Sequence, residues 1–360
     1  MITAYVHQEG SLSKLIVSGL ETRAVVADVP AADILPSRLQ EAADHAAERL
    51  PREAVWVDLL EPTSAEIQAV ESAFAIEVPT REEMQEIEVS SRLYSEGDSL
   101  VMTVPVLHKA ATEHPESGAV TFILTATALV TVRFVDPLPF AIFARRALRH
   151  PHLAAGPQQI LLGLLEGIAD RLADVLELAA ADMEQVSRDI FAKQAAGSSS
   201  KRPRKGVAGQ KGGSLQDVLR RIGRNGDLAT KARDSLLGLS RVVLFLNAQS
   251  SMKKDAKQRI KTLSRDIASI ADHATFLAGK INFLLDATLG LINIEQNAII
   301  KIFTVAAVAF LPPTLIASIY GMNFAHMPEL QWDYGYLLAI GLMVVSAVLP
   351  FWYFRKRGWL

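Results

Sequence analysis

The sequence predicts an α/β domain followed by long helices and two membrane-spanning helices toward the C-terminal end. Three observations predict it. Four short segments rich in β-branched and aromatic residues fall before Asp136, strand signals cease beyond it, and two charge-poor apolar stretches follow Asn297. With 360 residues, 50% of them apolar and 21% charged, the chain can build two ordinary cores, and disorder is excluded as its general state.

The strand segments are AVWVDL at Ala54–Leu59, SLVMTVPVL at Ser99–Leu107, AVTFILT at Ala119–Thr125 and ALVTVRF at Ala128–Phe134. Between the first two, Thr63 and Glu66 have the spacing of a capping box, followed by Ile67, Val70 and Phe74 on one helical face. Residues 1–135 are therefore expected to form a cytoplasmic α/β domain. The formal net charge of −2 provides no field for nucleic acid, and no nucleic-acid partner is expected. Cysteine is absent, which excludes disulfides, thiolate metal sites and cysteine nucleophiles and fits a reducing compartment. The opening MITAYVHQEG has neither the basic start nor the apolar core of a signal peptide, so most of the chain is expected to stay inside the cell.

Residues 136–250 read as a helical cytoplasmic region. One helix is expected over Pro157–Gln194, with Leu161, Leu165, Ile168, Leu172, Val175, Leu176 and Met183 at helical spacing, and another over Ser214–Asn247. The loop between them, 197–213, reads GSSSKRPRKGVAGQKGG and is expected to be a solvated basic tip, with contact to anionic lipid or RNA as its alternative. A stalk helix is expected over residues 251–297, running on to Tyr320 without a proline before Pro312. At 1.5 Å per residue it would be on the order of 100 Å long. Such a helix needs neighbours along its length, and copies of itself around an axis would supply them.

The first span is expected over residues 298–320, with Lys301 near its start and Pro312 and Pro313 in its second half. The second, 335–354, carries no charge and is closed by Arg355, Lys356 and Arg357 in the C-terminal segment 355–360. The intervening loop, 321–334, holds Glu329 and Asp333 but no lysine or arginine, so the positive-inside rule places both termini in the cytoplasm. Trp332, Tyr334, Tyr336, Trp352 and Tyr353 suit the two interfaces of a bacterial inner (plasma) membrane. Two helices enclose no aqueous pore, so conduction requires several copies around a common axis.

After the first span come Tyr320, Gly321, Met322 and Asn323, then M-P-E-L at Met327–Leu330, and the chain ends in a basic cluster with Trp359 and Leu360. In that setting the chain resembles the CorA family of divalent-cation transporters. The resemblance covers Asp286–Leu360 most closely and extends to W-V-D-L-L-E-P at Trp56–Pro62 and L-V-T-V-R at Leu129–Arg133. It implies a CorA-like homopentameric funnel whose stalk helices continue into the pore, with no enzymatic activity, no resident cofactor and Mg²⁺ as cargo, Co²⁺ and Ni²⁺ following. Carried over by position, Gly321, Met322 and Asn323 form the outer selectivity entrance beside Glu329. Asn297, Ile300, Phe303, Ala307, Leu311 and Thr314 face the axis, at the three- and four-residue steps one helix face requires.

The resemblance also implies Asp286 at the inner mouth, a basic ring of Lys301, Arg355, Lys356 and Arg357, and regulatory magnesium on cytoplasmic carboxylates, for which Asp98, Asp266 and Asp272 are candidates. Magnesium sheds its water reluctantly, and a ring of neutral amide oxygens can hold the hydrated ion without trapping it. Taken without the motif, Asn297 and Asn323 read better as packing or capping residues. Thr314 reads alone as bonding to a carbonyl freed by the prolines, and Ile300, Phe303 and Leu311 as lipid-facing groups.

A zinc-carrying relative is the nearest alternative. M-P-E-L and eight unclustered histidines argue against Zn²⁺ as the cargo. A membrane-anchored scaffold or sensor is the alternative of another class, and an enzyme lacks support because no nucleotide or hydrolase motif is present. Two features depart from the family pattern: the basic glycine-rich loop stands where a tight acidic hairpin is more usual, and Pro313 follows Pro312.

Overall fold

In a computed structural model of the chain, residues 1–8, 11–17, 50–51, 53–197, 215–250, 252–322 and 332–357 are described. The β-branched segments pair as strands: β3 (Ala54–Leu60), β5 (Ser99–His108), β6 (Glu116–Leu124) and β7 (Leu129–Arg133). They are joined by β1 (Ile2–Gln8), β2 (Ser11–Val17) and the short β4 (Leu93–Glu96), none of which the composition of the segments predicts. The seven strands lie in the order β2-β1-β3-β7-β6-β5-β4. Only β3 and β7 pair in parallel, because the chain crosses over between them while every other neighbour is antiparallel.

Alternation along the strands divides the core into two faces. On one face Val57, Leu59, Val101, Ile123, Val130 and Val132 pack with Val70 and Met84. Val70 comes from α1 (Ser64–Phe74), whose start is fixed as the sequence predicts: Glu66 N donates to Thr63 Oγ1 and Thr63 N donates to Glu66 Oε2. Ala65, Ala69 and Val70 are its buried positions, whereas the expected Ile67 and Phe74 lie only partly covered at the edge of the core. On the opposite face Trp56 stacks on Tyr5 at 4.4 Å and meets Phe143 edge-on at 5.7 Å, while Phe122 stacks with Phe140. Phe140 and Phe143 belong to α2 (Leu138–Arg149), a helix closed by Arg146 and Arg149 in its last turn.

Outside α2 run α3 (Pro157–Gly197) and α4 (Leu215–Ala248). Glycines allow two close approaches. A Cβ on Gly163 of α3 would stand 2.3 Å from a ring carbon of Phe143, and one on Gly238 of α4 would stand 2.8 Å from Pro105 on β5. Polar clasps fix the helices: Arg221 Nη2 of α4 donates to Asp182 Oδ1 of α3 at 2.6 Å, and Asn225 Nδ2 to Asp182 Oδ2 at 2.7 Å. Next comes α5 (Lys254–Tyr320), held to α3 through Arg259 on Glu166 and Lys280 on Glu184. The last helix is α6 (Gly335–Lys356).

The chain divides into two compact units, Met1–Leu284 and Leu285–Leu360, and α5 contributes to both. The basic loop 197–213 lies outside the described residues apart from Gly197, the last residue of α3.

Candidate functional site

Both α5 and α6 contain stretches long and apolar enough to cross a membrane, and those stretches are almost wholly exposed in the single chain. A soluble protein would bury such surface, whereas lipid or copies of the chain can cover it here. Within the second unit the less exposed positions of α5 centre on Val305, Ala309, Pro312, Ile316 and Tyr320. Those of α6 include Gly335, Ala339, Met343, Ala347, Pro350 and Phe354. Both lines advance by three and four residues, as a helix face does.

The six residues expected to face a pore lie on the other side of α5. Counted at about 3.6 residues per turn, Ile300, Ala307, Leu311 and Thr314 fall half a turn from the covered line. All six are exposed, with Ile300 at 60%, Phe303 at 72% and Leu311 at 67%. Thr314 Oγ1 donates to Phe310 O at 2.8 Å. That corrects the reading of Thr314 alone. The carbonyls deprived of a donor by Pro312 and Pro313 are four residues earlier, at Val308 and Ala309, and the hydroxyl reaches neither. Thr304 and Ser318 make the same bond to the carbonyl one turn back.

Gly321 and Met322 follow the helix directly; Gly321 N donates to Ala317 O and Met322 N to Ile319 O, so the first two motif residues extend the last turn. Asn323 and Glu329 lie outside the described residues. Asp286 is exposed on α5 at the start of the second unit, and Lys301 is exposed one turn before Val305. At the far end of α6, Lys356 Nζ sits 5.4 Å from the Trp352 ring centre and the Arg357 guanidinium 5.8 Å from that of Tyr353. The basic cluster thus rests on the aromatic residues expected at an interface.

The three regulatory candidates are not brought together. Asp98 lies on the turn between β4 and β5, where Gly97 takes a positive φ of 54° and Asp98, Glu77 and Glu96 line a cleft of about 410 Å³. Burial and a hydrogen bond with Glu77 hold the Glu96 carboxyl above its ordinary range. Asp266 and Asp272 are exposed on α5. Asp266 faces a group the sequence reading missed: Glu166, Asp170 and Asp174 on α3, where burial and then the two neighbouring carboxylates push Asp170 upward. Their four-residue spacing was the available signal. Among the described residues no three acidic or histidine side chains converge as metal ligands.

Comparison with known proteins agrees with this arrangement. The family described as CorA-like Mg2+ transporter protein matches residues 52–356. The chain is 34% identical over 307 residues to the magnesium transport protein CorA of Yersinia pseudotuberculosis, covering 85% of this chain and 92% of that protein. It has the same identity and coverage with the protein of that name from Escherichia coli strain K12. Among solved structures, the complete CorA magnesium transporter of Methanocaldococcus jannaschii is similar in fold, with a TM-score of 0.69 at 18% identity over 100% of this chain and 99% of that one.

Proposed function

Since the chain belongs to the family of CorA-like magnesium transporters, we propose that it assembles as a homopentameric channel that admits Mg²⁺ to the cytoplasm down the electrochemical gradient. The observation that carries this reading is the exposed line from Asn297 to Thr314, opposite the covered side of α5. Five copies of that line around one axis would make a pore lined by an amide at Asn297, apolar rings at Ile300, Phe303 and Leu311, and a hydroxyl at Thr314.

Each ring has a physical role. Asn323 presents amide oxygens at the outer entrance, with Gly321 and Met322 shaping the turn that carries it and Glu329 adding negative charge to the external loop. The oxygens accept hydrogen bonds from the water bound to the ion, so the ion enters without the cost of dehydration. Co²⁺ and Ni²⁺, which also bind water octahedrally, follow the same route. Apolar rings close by expelling water when they narrow. An inside-negative potential of 100 mV contributes roughly 4.6 kcal/mol for a divalent ion, so no nucleotide hydrolysis is required.

Residues 1–135 with the helices up to the stalk are read as cytoplasmic, in an inner-membrane protein with both termini inside; Arg355, Lys356 and Arg357 support that orientation. Internal Mg²⁺ gates the channel by bridging carboxylates across subunits, for which Asp98 on one copy and Asp266 or Asp272 on the next are the candidates. Asp286 concentrates cations at the inner mouth, and Lys301 with the terminal cluster forms the basic ring around it.

Uptake in cells lacking their own magnesium uptake tests the reading. Expression should restore growth at low external Mg²⁺, and Co²⁺ and Ni²⁺ should compete with labelled Mg²⁺ more strongly than Zn²⁺ does. Asn323→Ala should abolish rescue while the protein remains in the membrane; undiminished rescue by that variant would refute the proposed amide entrance, and failure of the wild type itself to rescue would favour the anchored scaffold.

A further inference from the structure

Ile87 is 86% exposed, more than any other large apolar side chain described. It is held outward by a built segment: Met84, three residues earlier, is buried in the core, and Arg92 Nε donates to the carbonyl of Glu86. Glu82, Glu83, Glu86 and Glu88 flank it in sequence, all exposed. Glu83 is engaged by Thr80, whereas among the described residues no ion pair reaches Glu82, Glu86 or Glu88. An outward isoleucine flanked in sequence by exposed glutamates, three of them outside any ion pair among the described residues, is a knob suited to a surface that is apolar at its centre and basic beside it.

The same unit carries such a surface. Leu138, Ile142, Arg145 and Arg149 fall on one stripe of α2, at steps of four, three and four residues, and all are exposed. Leu138 is 51% and Ile142 43% exposed, and among the described residues neither Arg145 nor Arg149 has an ion-pair partner. Arg146, one position off the stripe, instead faces Asp170. Met84 packs on one face of the sheet and α2 covers the other, so knob and stripe belong to opposite faces of one domain. Identical domains set side by side bring one to the other.

We propose that Ile87 and its flanking glutamates dock on the Leu138–Ile142–Arg145–Arg149 stripe of the adjacent copy. The contact is head-to-tail, and such a contact closes into a ring when the rotation between neighbouring copies divides a full turn. The inference rests on the ring assembly proposed above and supplies one of its interfaces. The apolar centre gives the seat, while the charges fix which copy and which register fit.

The absence of cysteine makes the test direct. A full-length Ile87→Cys/Ile142→Cys double variant in membranes, mildly oxidised, should give a ladder of covalent oligomers that reducing agent collapses. Each single variant should give none, because neither position meets its own copy. Adding Arg145→Glu and Arg149→Glu should lower crosslinking by roughly tenfold, and adding Glu86→Lys and Glu88→Lys as well should restore it. Dimers from either single variant, crosslinking indifferent to the charge changes, or crosslinks from Ile87→Cys to Leu244→Cys on α4 but not to Ile142→Cys, would overturn the contact. Mass photometry of the same samples in lipid discs separates the levels: a pentamer without the ladder refutes this interface alone, whereas a monomer refutes the ring and the interface together.

Discussion

Arg133 holds Asp58 through two donors across adjacent parallel strands, Nη2 to Oδ2 at 2.9 Å and Nε to Oδ1 at 3.0 Å. Both side chains are buried, and the network extends: Thr131 Oγ1 donates to Asp58 Oδ1 and Trp56 Nε1 donates to Thr131 Oγ1. The third guanidinium nitrogen is not left over, since Nη1 donates to the Val135 carbonyl and to Asp136. Removing Asp58 leaves the buried guanidinium with only the exposed Asp136 as counter-charge, and removing Arg133 leaves a buried carboxylate with none. Asp58→Leu should therefore destabilise the first unit by about 3–5 kcal/mol, and Asp58→Leu/Arg133→Met should be milder than that single change. Urea denaturation of the detergent-solubilised chain, followed by Trp fluorescence, measures both.

That pair also shows where the sequence stops being legible. W-V-D-L-L-E-P and L-V-T-V-R were readable as strands and as family-like segments, but their meeting is a contact between residues 75 positions apart, and nothing local to either predicts it. The membrane helices were legible because a bilayer demands a long uncharged run, and the start of α1 because Thr63 and Glu66 carry their own capping geometry. By contrast, β1 is buried from Ile2 to Val6 yet carries Thr3, and β2 mixes Leu12 with exposed Lys14, Leu15 and Ile16, so their composition did not mark them. The acidic line Glu166, Asp170 and Asp174 was open to reading from its spacing on α3, whereas the approach of Asp266 needed the packing of α5. The line proposed to face a pore rests on the motif, since in a lone chain Ile300 and a lipid-facing Leu look alike.

Gly163 is a packing requirement of the crossing between α3 and α2. An added methyl would overlap the Phe143 ring at 2.3 Å, and Phe143 is itself held against Trp56. Gly163→Ala gains helix propensity but should lose about 1–3 kcal/mol through overpacking. Pairing it with Phe143→Leu should recover part of the loss. Gly223→Ala, on α4 with open space around the new methyl, serves as the control and should be neutral or slightly stabilising.

His108 ends β5 with its ring almost wholly covered, 3.5 Å from Glu116. Burial lowers its pKa; the Glu116 carboxylate opposes that shift and Lys109 adds to it. The sign follows from linkage. As pH falls through the ordinary histidine range, the unfolded chain takes up a proton that the folded one resists, so stability is lost progressively down to the folded value. Thermal unfolding of wild type should thus weaken from pH 7 toward pH 5. His108→Gln should flatten that slope while leaving the pH 7 value nearly unchanged, and an unaltered slope would assign the acid sensitivity to other groups.

The apolar rings proposed at Phe303 and Leu311 offer the sharpest separation of pore from scaffold. Phe303 and Leu311 are 72% and 67% exposed on α5, on the side away from Val305 and Ile316, so substitution there leaves the chain's own packing intact. If five copies of each close the pathway by excluding water, a polar side chain should let water remain and hold the gate open. Leu311→Asn and Phe303→Ser should therefore raise Mg²⁺ flux into liposomes when internal Mg²⁺ is high, a condition under which wild type should be nearly silent. Ile316→Asn, on the covered side, should instead impair assembly without creating a leak. Thr314→Val should sit between these cases: its hydroxyl is spent on the Phe310 carbonyl, so losing it should reduce flux only modestly. A leak from Ile316→Asn equal to that from Leu311→Asn would mean that the face of α5 has been assigned the wrong way round.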